Sequence, residues 1–337
     1  MLRKNRFLAV LVGSFLAVAA ISALTATSNT VYARPLPQTT GNVERGKYLV
    51  RLAGCGGCHG DFKLASDKGV PLAGGNEFNL GPLGVFYSAN LTILQKWTAD
   101  DFKKVLHEGV DPQSGRVLAP AMPYQEYHGM SDDDVSAIGA YLQTLTPVTN
   151  DVPKAQPGPV AGFALKKLDP VSVPMPAIDK TAGYGRYMVE NIVGCGGCHS
   201  PTNQTGAPIA GHDLQGGGRN LGTDQQPLYA SPIVGSVLNA EGYTYDSFVN
   251  AMKAGVRPWG ARIPSQMPYR NYVIMTDNDL TAIWNFLQTK GPIQAWPATQ
   301  IPPATRAATA AGTVAATMSG TQSAATQSAA TMAPTAK

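Results

Sequence analysis

The chain has 337 residues and only four cysteines, and its 26 basic and 22 acidic side chains give it a formal net charge of +4. Three of the basic residues, Arg3, Lys4 and Arg6, lie within residues 1–33, which contain no acidic side chain. Setting them aside leaves 23 basic against 22 acidic residues, with no basic stripe of the kind that binds nucleic acid. We therefore expect no nucleic-acid partner.

Residues 1–33 are typical of a signal peptide. The basic residues precede an apolar run from Phe7 to about Leu24, and Val31-Tyr32-Ala33 forms a small-x-small cleavage site. The apolar run is also long enough to span a membrane, so an uncleaved N-terminal anchor is the alternative. Either interpretation places the rest of the chain in the periplasm or on the extracytoplasmic side of the membrane. Membrane association would then come from the N-terminus or from a partner subunit.

Two identical pentapeptides use all four cysteines. They are Cys55-Gly-Gly-Cys58-His59 and Cys195-Gly-Gly-Cys198-His199, and both match C-x-x-C-H, the attachment signature of c-type haem. In this signature the thiols hold the porphyrin and the histidine is an axial ligand of the iron. Paired cysteines of a zinc site are about 12–20 residues apart, whereas these motifs are 140 residues apart. Zinc binding and dithiol chemistry are the alternatives.

We therefore expect two covalently bound haem c groups, one at each motif. The residues expected to form the thioether bonds are Cys55, Cys58, Cys195 and Cys198. The iron ligands expected from the motifs are His59 and His199.

An internal repeat organises the chain. Gly46-Lys-Tyr48 precedes the first motif and Gly185-Arg-Tyr187 precedes the second. Further matches are Leu72-Ala-Gly-Gly75 with Leu214-Gln-Gly-Gly217, and Met122-Pro-Tyr124 with Met267-Pro-Tyr269. The offset between matched positions drifts only from 139 to 145 residues. This pattern predicts a duplicated domain, at 41–148 (the first repeat) and 180–292 (the second repeat).

The segments outside the repeats have a different composition. Seven prolines lie between Pro147 and Pro176, which predicts a semi-rigid linker over 149–179. Residues 293–337 are dominated by Ala, Thr and Ser, and this composition predicts a disordered tail.

Capping sequences and helical spacing predict short helices within each repeat. Helices are expected to begin at Thr98-x-x-Asp101, Ser131-x-x-Asp134 and Thr276-x-x-Asp279, and Gly109 is expected to end the first of them. No stretch shows sustained strand alternation. The expected fold class is therefore all-α.

The second axial ligand of each iron decides between electron transfer and chemistry at an open iron. Outside the motifs the histidines are His107, His128 and His212, and none of them recurs in both repeats. We expect these three to be solvated or to lie near haem propionates.

Two methionine pairs do recur in both repeats. Met130 and Met275 each precede a helix cap, where apolar residues pack against the helix. Met122 and Met267 instead lie in proline-bounded loops, 63 and 68 residues after His59 and His199. We expect Met122 and Met267 to be the second axial ligands, with ordinary core packing as the alternative.

With these motifs the chain resembles the class I c-type cytochromes, and more narrowly the multihaem cytochrome c subunit of membrane-bound gluconate and alcohol dehydrogenases. The resemblance covers about 41–292 and rests on 46–59, 72–75, 87–92, 120–124, 131–134 and their second-repeat counterparts. It implies two tandem class I cytochrome c domains, with the matched His and Met residues as iron ligands. Subunits of this family usually carry three haems and a C-terminal membrane-binding segment, whereas this chain has two motifs.

The resemblance also implies a function. We expect a dihaem cytochrome that carries electrons from a donor dehydrogenase toward an acceptor cytochrome or oxidase, with no catalytic residues and no enzyme activity of its own. One alternative is a dihaem enzyme, peroxidase-like or thiosulfate-oxidising. Another is a haem-based sensor or a surface-displayed structural cytochrome.

Overall fold

The computed structural model describes residues 40–64, 69–203 and 208–294. The predicted signal segment 1–33 and residues 295–337 of the predicted tail lie outside the described residues. All the described residues fall within one compact unit, Leu36–Lys337. None of the helices in these described ranges has the length and apolarity to cross a lipid bilayer.

The described residues of the first repeat form five α-helices. They are α1 (Thr40–Leu52), α2 (Cys55–His59), α3 (Ala99–Lys103), α4 (Tyr124–Tyr127) and α5 (Asp132–Gln143). The caps predicted for α3 and α5 are present, because the Thr98 and Ser131 side chains accept hydrogen bonds from the backbone N–H three residues later. A π-helical turn, Lys104–Glu108, continues α3 and ends at Gly109, whose φ of 69° is left-handed.

A small antiparallel sheet, formed by the first repeat together with the segment that follows it, was not predicted. Its strands are β1 (Glu77–Asn79), β2 (Gly84–Tyr87) and β3 (Gln156–Pro157), in the order β1-β2-β3. Phe78 pairs with Phe86, and Val85 pairs with Gln156. Strands of two to four residues are too short to produce an alternating pattern in the sequence.

The segment between the repeats is bonded along the first repeat. It contains β3 and α6 (Ala161–Ala164). The Tyr124 hydroxyl donates to Lys166 O at 2.6 Å, and Leu168 N donates to Glu108 O at 3.0 Å. Near its end, Val173 N donates to Asp132 Oδ1 at 3.1 Å. These bonds hold much of the proline-rich stretch against one repeat.

Six α-helices are present in the part of the second repeat that the structure describes. They are α7 (Ala182–Tyr187), α8 (Gly196–His199), α9 (Gly235–Ala240), α10 (Tyr245–Ala254), α11 (Tyr269–Tyr272) and α12 (Asp277–Gln288). A π-helical turn, Met188–Ile192, continues α7. The predicted capping box of α12 is present between Thr276 and Asp279. The Gly255 φ of 65° ends α10, just as Gly109 ends the corresponding helix of the first repeat.

In each repeat the helix before the motif crosses the last helix at a glycine. A Cβ atom on Gly46 of α1 would collide with the Ala137 backbone oxygen of α5. In the same way, a Cβ on Gly185 of α7 would collide with the Ala282 backbone oxygen of α12. The absence of a side chain therefore permits both helix pairs to approach closely.

In the interface between the two repeats, one tyrosine of each repeat forms hydrogen bonds with the other repeat. The Tyr187 hydroxyl of the second repeat donates to Asp134 Oδ2 at 2.7 Å and accepts from Ser131 N at 3.1 Å. The Tyr48 hydroxyl of the first repeat donates to Asp279 Oδ2 and accepts from Thr276 N at 3.1 Å. Each tyrosine thus bonds the N-terminus of the last helix of the other repeat.

The two carboxylates at these helix ends are almost completely buried, with 1% of Asp134 and 2% of Asp279 exposed. Arg45 gives Asp134 a two-pronged ion pair, with Nε to Oδ1 at 2.9 Å and Nη2 to Oδ2 at 2.8 Å. At the matching place, the Tyr184 hydroxyl donates to Asp279 Oδ1 at 2.9 Å. A buried carboxylate needs several such donors, so these bonds specify how the repeats fit together.

Candidate haem sites

Each C-x-x-C-H motif forms a single helical turn. Left-handed Gly54, with φ 71°, precedes α2, and left-handed Gly194, with φ 65°, stands one residue before the second motif. In the second motif, His199 N donates a hydrogen bond to Cys195 O at 2.9 Å, which completes the helical turn. Residues three apart on a helical turn lie on one face, so the two thiols of a motif are presented side by side. All four cysteines are partly buried free thiols.

The two motif histidines are held in the same way. His59 Nδ1 lies 2.8 Å from Ala89 O, and His199 Nδ1 lies 2.7 Å from Ser231 O. A carbonyl oxygen only accepts, so Nδ1 carries the proton in both rings and Nε2 keeps its lone pair. Metal-binding histidines characteristically donate their other ring N–H to such a partner. Burial also lowers the pKa of His59 and of His199, which favours the neutral form that binds a metal.

The first glycine of each repeated Gly-Gly pair contacts both the motif histidine and the segment that supplies its carbonyl partner. Gly74 N donates to His59 O at 2.9 Å, and Gly216 N donates to His199 O at 2.7 Å. Both glycines are left-handed, with φ 70° and 82°. A Cβ on Gly74 would collide with Ala89 O, and a Cβ on Gly216 would lie 2.7 Å from Pro232 N, next to Ser231.

Sequence reasoning found this pair only as a repeated element. The carbonyls of Ala89 and Ser231 were missed, because a backbone oxygen places no requirement on residue type.

Met122 and Met267 occupy loops of the same conformation. Met122 N donates to Ala119 O at 2.9 Å, and Met267 N donates to Pro264 O at 3.0 Å. In both loops the tyrosine two residues later donates its N–H back to the methionine carbonyl at 2.8 Å. Both methionines are partly buried and pack against the hydrophobic core, as Cys55 and Cys195 do. Ligation of iron by these two methionines stays a prediction.

The other recurring methionines are packing residues. Met130 is 0% exposed and Met275 is 1% exposed, and both belong to the hydrophobic core together with Val135 and Leu280. This arrangement is the one expected for apolar residues that precede a helix cap.

Of the two environments expected for the remaining histidines, full solvation is excluded for two of them, whereas a place near a haem propionate stays a prediction. His107 is 1% exposed and His212 is 7% exposed. His107 Nε2 lies 2.9 Å from Met130 O, and His128 Nδ1 lies 2.7 Å from His107 O. Burial lowers the pKa of His107, so its ring is neutral and costs less to bury. Nothing in the spacing of the sequence distinguishes this core histidine from an exposed one.

The residues of each motif fit a covalently bound haem. Burial raises the pKa of Cys55 and of Cys195 to about 12, so both are neutral thiols in the folded chain. One turn thus offers two thiols and one neutral imidazole whose Nε2 is available. Within 40–64, 69–203 and 208–294, no three His, Cys, Asp or Glu side chains are grouped to hold a metal ion by themselves.

Fold and motif together define a class of protein. Residues 43–146 match the Cytochrome c family, so the first repeat contains a cytochrome c domain. A cytochrome c domain carries covalently bound haem c.

The chain is similar to several proteins that are named as cytochrome subunits of dehydrogenases. The chain is 34% identical over 178 residues to the gluconate 2-dehydrogenase cytochrome c subunit of Pantoea cypripedii, an alignment that covers 48% of this chain and 39% of that protein. It is also 34% identical over 193 residues to the fructose dehydrogenase cytochrome subunit of Gluconobacter japonicus, which covers 51% and 38%. The chain therefore spans about two fifths of the length of these relatives.

A further relative is the diheme cytochrome c-type protein of Cereibacter sphaeroides. The chain is 27% identical to it over 190 residues, which covers 53% of this chain and 64% of that protein.

Proposed function

We propose that the chain is a dihaem c-type cytochrome that transfers electrons outside the cytoplasm, with one class I cytochrome c domain in each repeat. The main support for the proposal is that His59 and His199 form the same hydrogen bond. In both residues Nδ1 donates to a backbone carbonyl. The second repeat thus holds its motif histidine as the recognised cytochrome c domain does. A bound haem c supplies a one-electron Fe(III)/Fe(II) couple.

Four side chains are proposed as axial ligands, His59 with Met122 and His199 with Met267. The support is the shared conformation of the two methionine loops and their packing on the same core as the motif cysteines. Histidine and methionine together would close both axial positions of a bound haem, and a thioether ligand would raise its reduction potential. Closed sites of this kind favour electron transfer over binding of a substrate at the iron.

The proposed electron donor is a dehydrogenase, and the proposed acceptor is a cytochrome or an oxidase. The support for the donor is that relatives are named as cytochrome subunits of gluconate and fructose dehydrogenases. The proposed location is the periplasm or the extracytoplasmic face of the membrane, because residues 1–33 have the pattern of a signal peptide or anchor.

The test counts haems on the purified holoprotein. We expect two haems per chain from the absorbance of the reduced pyridine complex. Replacing one cysteine pair, as in Cys55→Ser with Cys58→Ser, should leave one haem. The matched double variant of Cys195 and Cys198 should also leave one. A single haem in the unmodified chain would contradict the proposal.

A second measurement addresses the closed iron sites. The reduced holoprotein should not bind carbon monoxide, because both axial positions are filled. Rapid binding of carbon monoxide by either haem would contradict the His/Met assignment and would favour an enzyme with an open iron.

A further inference from the structure

The helix that follows each methionine loop lies against the motif of the other repeat. Helix α4 lies on the second motif, because a Cβ on either Gly194 or Gly197 would collide with the Glu126 carboxylate. Helix α11 lies beside the first motif, where Arg51 Nη2 donates to Arg270 O at 3.2 Å. Each motif is therefore contacted by residues of the other repeat.

The contact at the first motif is looser than the contact at the second. Asn271 takes the place of Glu126 there, since each of them lies two residues after the tyrosine that follows its methionine loop. A Cβ on Gly54 would lie 3.4 Å from Asn271 Nδ2, which is an ordinary contact distance. A Cβ on Gly57 would meet no atom of the described residues within 4 Å. The first motif thus faces a neutral amide, whereas a carboxylate lies against the helical turn of the second motif.

Helix α4 is held at this place by contacts with both repeats. The Tyr127 hydroxyl donates to Ala53 O at 3.1 Å, just before the first motif. Just after the helix, a Cβ on Gly129 would collide with the Asn191 side-chain oxygen of the second repeat. Glu126 is partly buried between these two contacts. The position of its carboxylate is therefore set by packing between the repeats.

The Glu126 carboxylate carries a charge above neutral pH. Burial raises its pKa to about 7, and the Arg219 guanidinium opposes this rise. Arg219 is exposed to solvent, and its Nη2 lies 3.9 Å from Cys198 Sγ. An exposed charge is screened more strongly than a partly buried one. Of the two charges beside the second motif, the negative one is therefore screened less.

Covalent attachment would place this carboxylate next to a redox centre. Thioether bonds at Cys195 and Cys198 would fix one edge of a porphyrin at the turn that Glu126 contacts. A nearby negative charge favours the oxidised centre, which carries one positive charge more than the reduced centre.

We propose that Glu126 of the first repeat supplies the second haem site with a negative charge, which lowers the reduction potential of that haem more than that of the first. This inference rests on the proposed function, since it requires a haem at each motif.

The experiment is a spectroscopic redox titration of the holoprotein and of Glu126→Gln, about two pH units above the Glu126 pKa, where a carboxylate is ionised. One midpoint potential should rise, with the reduced-to-oxidised ratio of that haem at fixed solution potential changing by roughly three- to thirtyfold. The other midpoint should change less. Glu190→Gln removes an exposed carboxylate that pairs with Arg186, and it should leave both potentials unchanged.

Variants with a single haem assign the shift. When Cys55 and Cys58 are replaced by serine, the second haem remains, and adding Glu126→Gln should raise its potential. When Cys195 and Cys198 are replaced, the first haem remains, and the same change should have a smaller effect.

A reciprocal variant makes the assignment in the dihaem chain itself. Asn271→Asp adds a carboxylate beside the first motif, and it should lower the midpoint that Glu126→Gln shifts less.

The outcomes separate the inference from the proposed function. Haem content is measured first on every variant. One haem in the unmodified chain contradicts the dihaem function itself. Two haems with neither midpoint raised by Glu126→Gln overturn the role of Glu126 and leave the dihaem function standing. An equal rise of both midpoints, or an equal shift in Glu190→Gln, also overturns it.

Discussion

The two repeats build the same histidine support on different scaffolds. In the first repeat, Ala89 follows β2 of a three-stranded sheet, and Glu77 pairs with Tyr87 within that sheet. In the corresponding part of the second repeat, among the residues that the structure describes, one isolated bridge joins Gly217 to Ala230 just before Ser231. Both scaffolds nevertheless present a carbonyl to Nδ1 of the motif histidine. The two repeats thus share the support of the proposed iron ligand and differ in the sheet around it.

The buried carboxylates at the interface make a second comparison. Asp134 is bonded by a guanidinium and a tyrosine hydroxyl, whereas Asp279 is bonded by the hydroxyls of Tyr184 and Tyr48. Among the described residues, Asp134 forms an ion pair with Arg45, whereas the groups that donate to Asp279 are neutral and include the Thr276 hydroxyl. The repeats should therefore respond unequally to loss of these charges and equally to changes in the features they share.

The largest difference between the repeats is expected from Asp134→Asn. This change leaves the partly buried Arg45 without its counter-charge, and breaking a buried pair from one side costs about 3–5 kcal/mol. Asp279→Asn removes only hydrogen bonds from neutral donors and should cost about 1.5–3 kcal/mol. Urea unfolding of the two holoprotein variants measures both values. Equal losses would show that the ion pair adds nothing to the first repeat.

An equal effect in both repeats is expected at the helix crossings. Gly46→Ala and Gly185→Ala force a methyl group against a backbone oxygen and should each cost about 3 kcal/mol of unfolding free energy. Gly183→Ala is the matched control on α7, because its Cβ would meet only the Thr181 hydroxyl, at 3.6 Å. If Gly185→Ala loses no more unfolding free energy than Gly183→Ala, the result would contradict a close approach of α7 and α12 at Gly185.

The shared histidine support is tested by Gly74→Ala. The new methyl collides with Ala89 O and should loosen the His59 bond, at a cost of about 2 kcal/mol beyond the strain of a positive φ. Gly115→Ala measures that strain alone, since φ there is 72° and no atom lies within 4 Å of the new Cβ. The difference between the two variants in urea unfolding isolates the collision. A difference near zero would contradict a role of Gly74 in holding His59 against Ala89 O.

The smallest effects are expected from the tyrosines that bond across the interface. Tyr48→Phe and Tyr187→Phe each remove one hydrogen bond to a buried carboxylate between the repeats, worth about 1.5 kcal/mol. Thermal unfolding should show similar losses for the two variants. Tyr87→Phe removes an exposed hydroxyl bonded to Glu77 within one repeat and should be nearly neutral. A near-neutral result for Tyr48→Phe as well would contradict the reciprocal interface.

The sequence predicted what depends on residue type at short range. The helix starts at Thr98 and Thr276 follow from capping residues, and the two motifs follow from cysteine spacing. The interface between the repeats left no short-range pattern in the sequence, because residues that bond across it, such as Tyr48 and Asp279, are 231 residues apart in the chain. Strands of a few residues and backbone carbonyl partners were missed for a similar reason: neither restricts the side chains along the chain.

The identity of the second axial ligands is the most direct test of the proposed dihaem centre. The measurement is the weak iron–thioether charge-transfer band of the oxidised holoprotein, in Met122→Ala and in Met267→Ala. Each variant should lose half of the band while keeping two haems per chain, and Met130→Ala should keep all of it. An unchanged band in Met122→Ala or Met267→Ala would contradict the His/Met ligand sets.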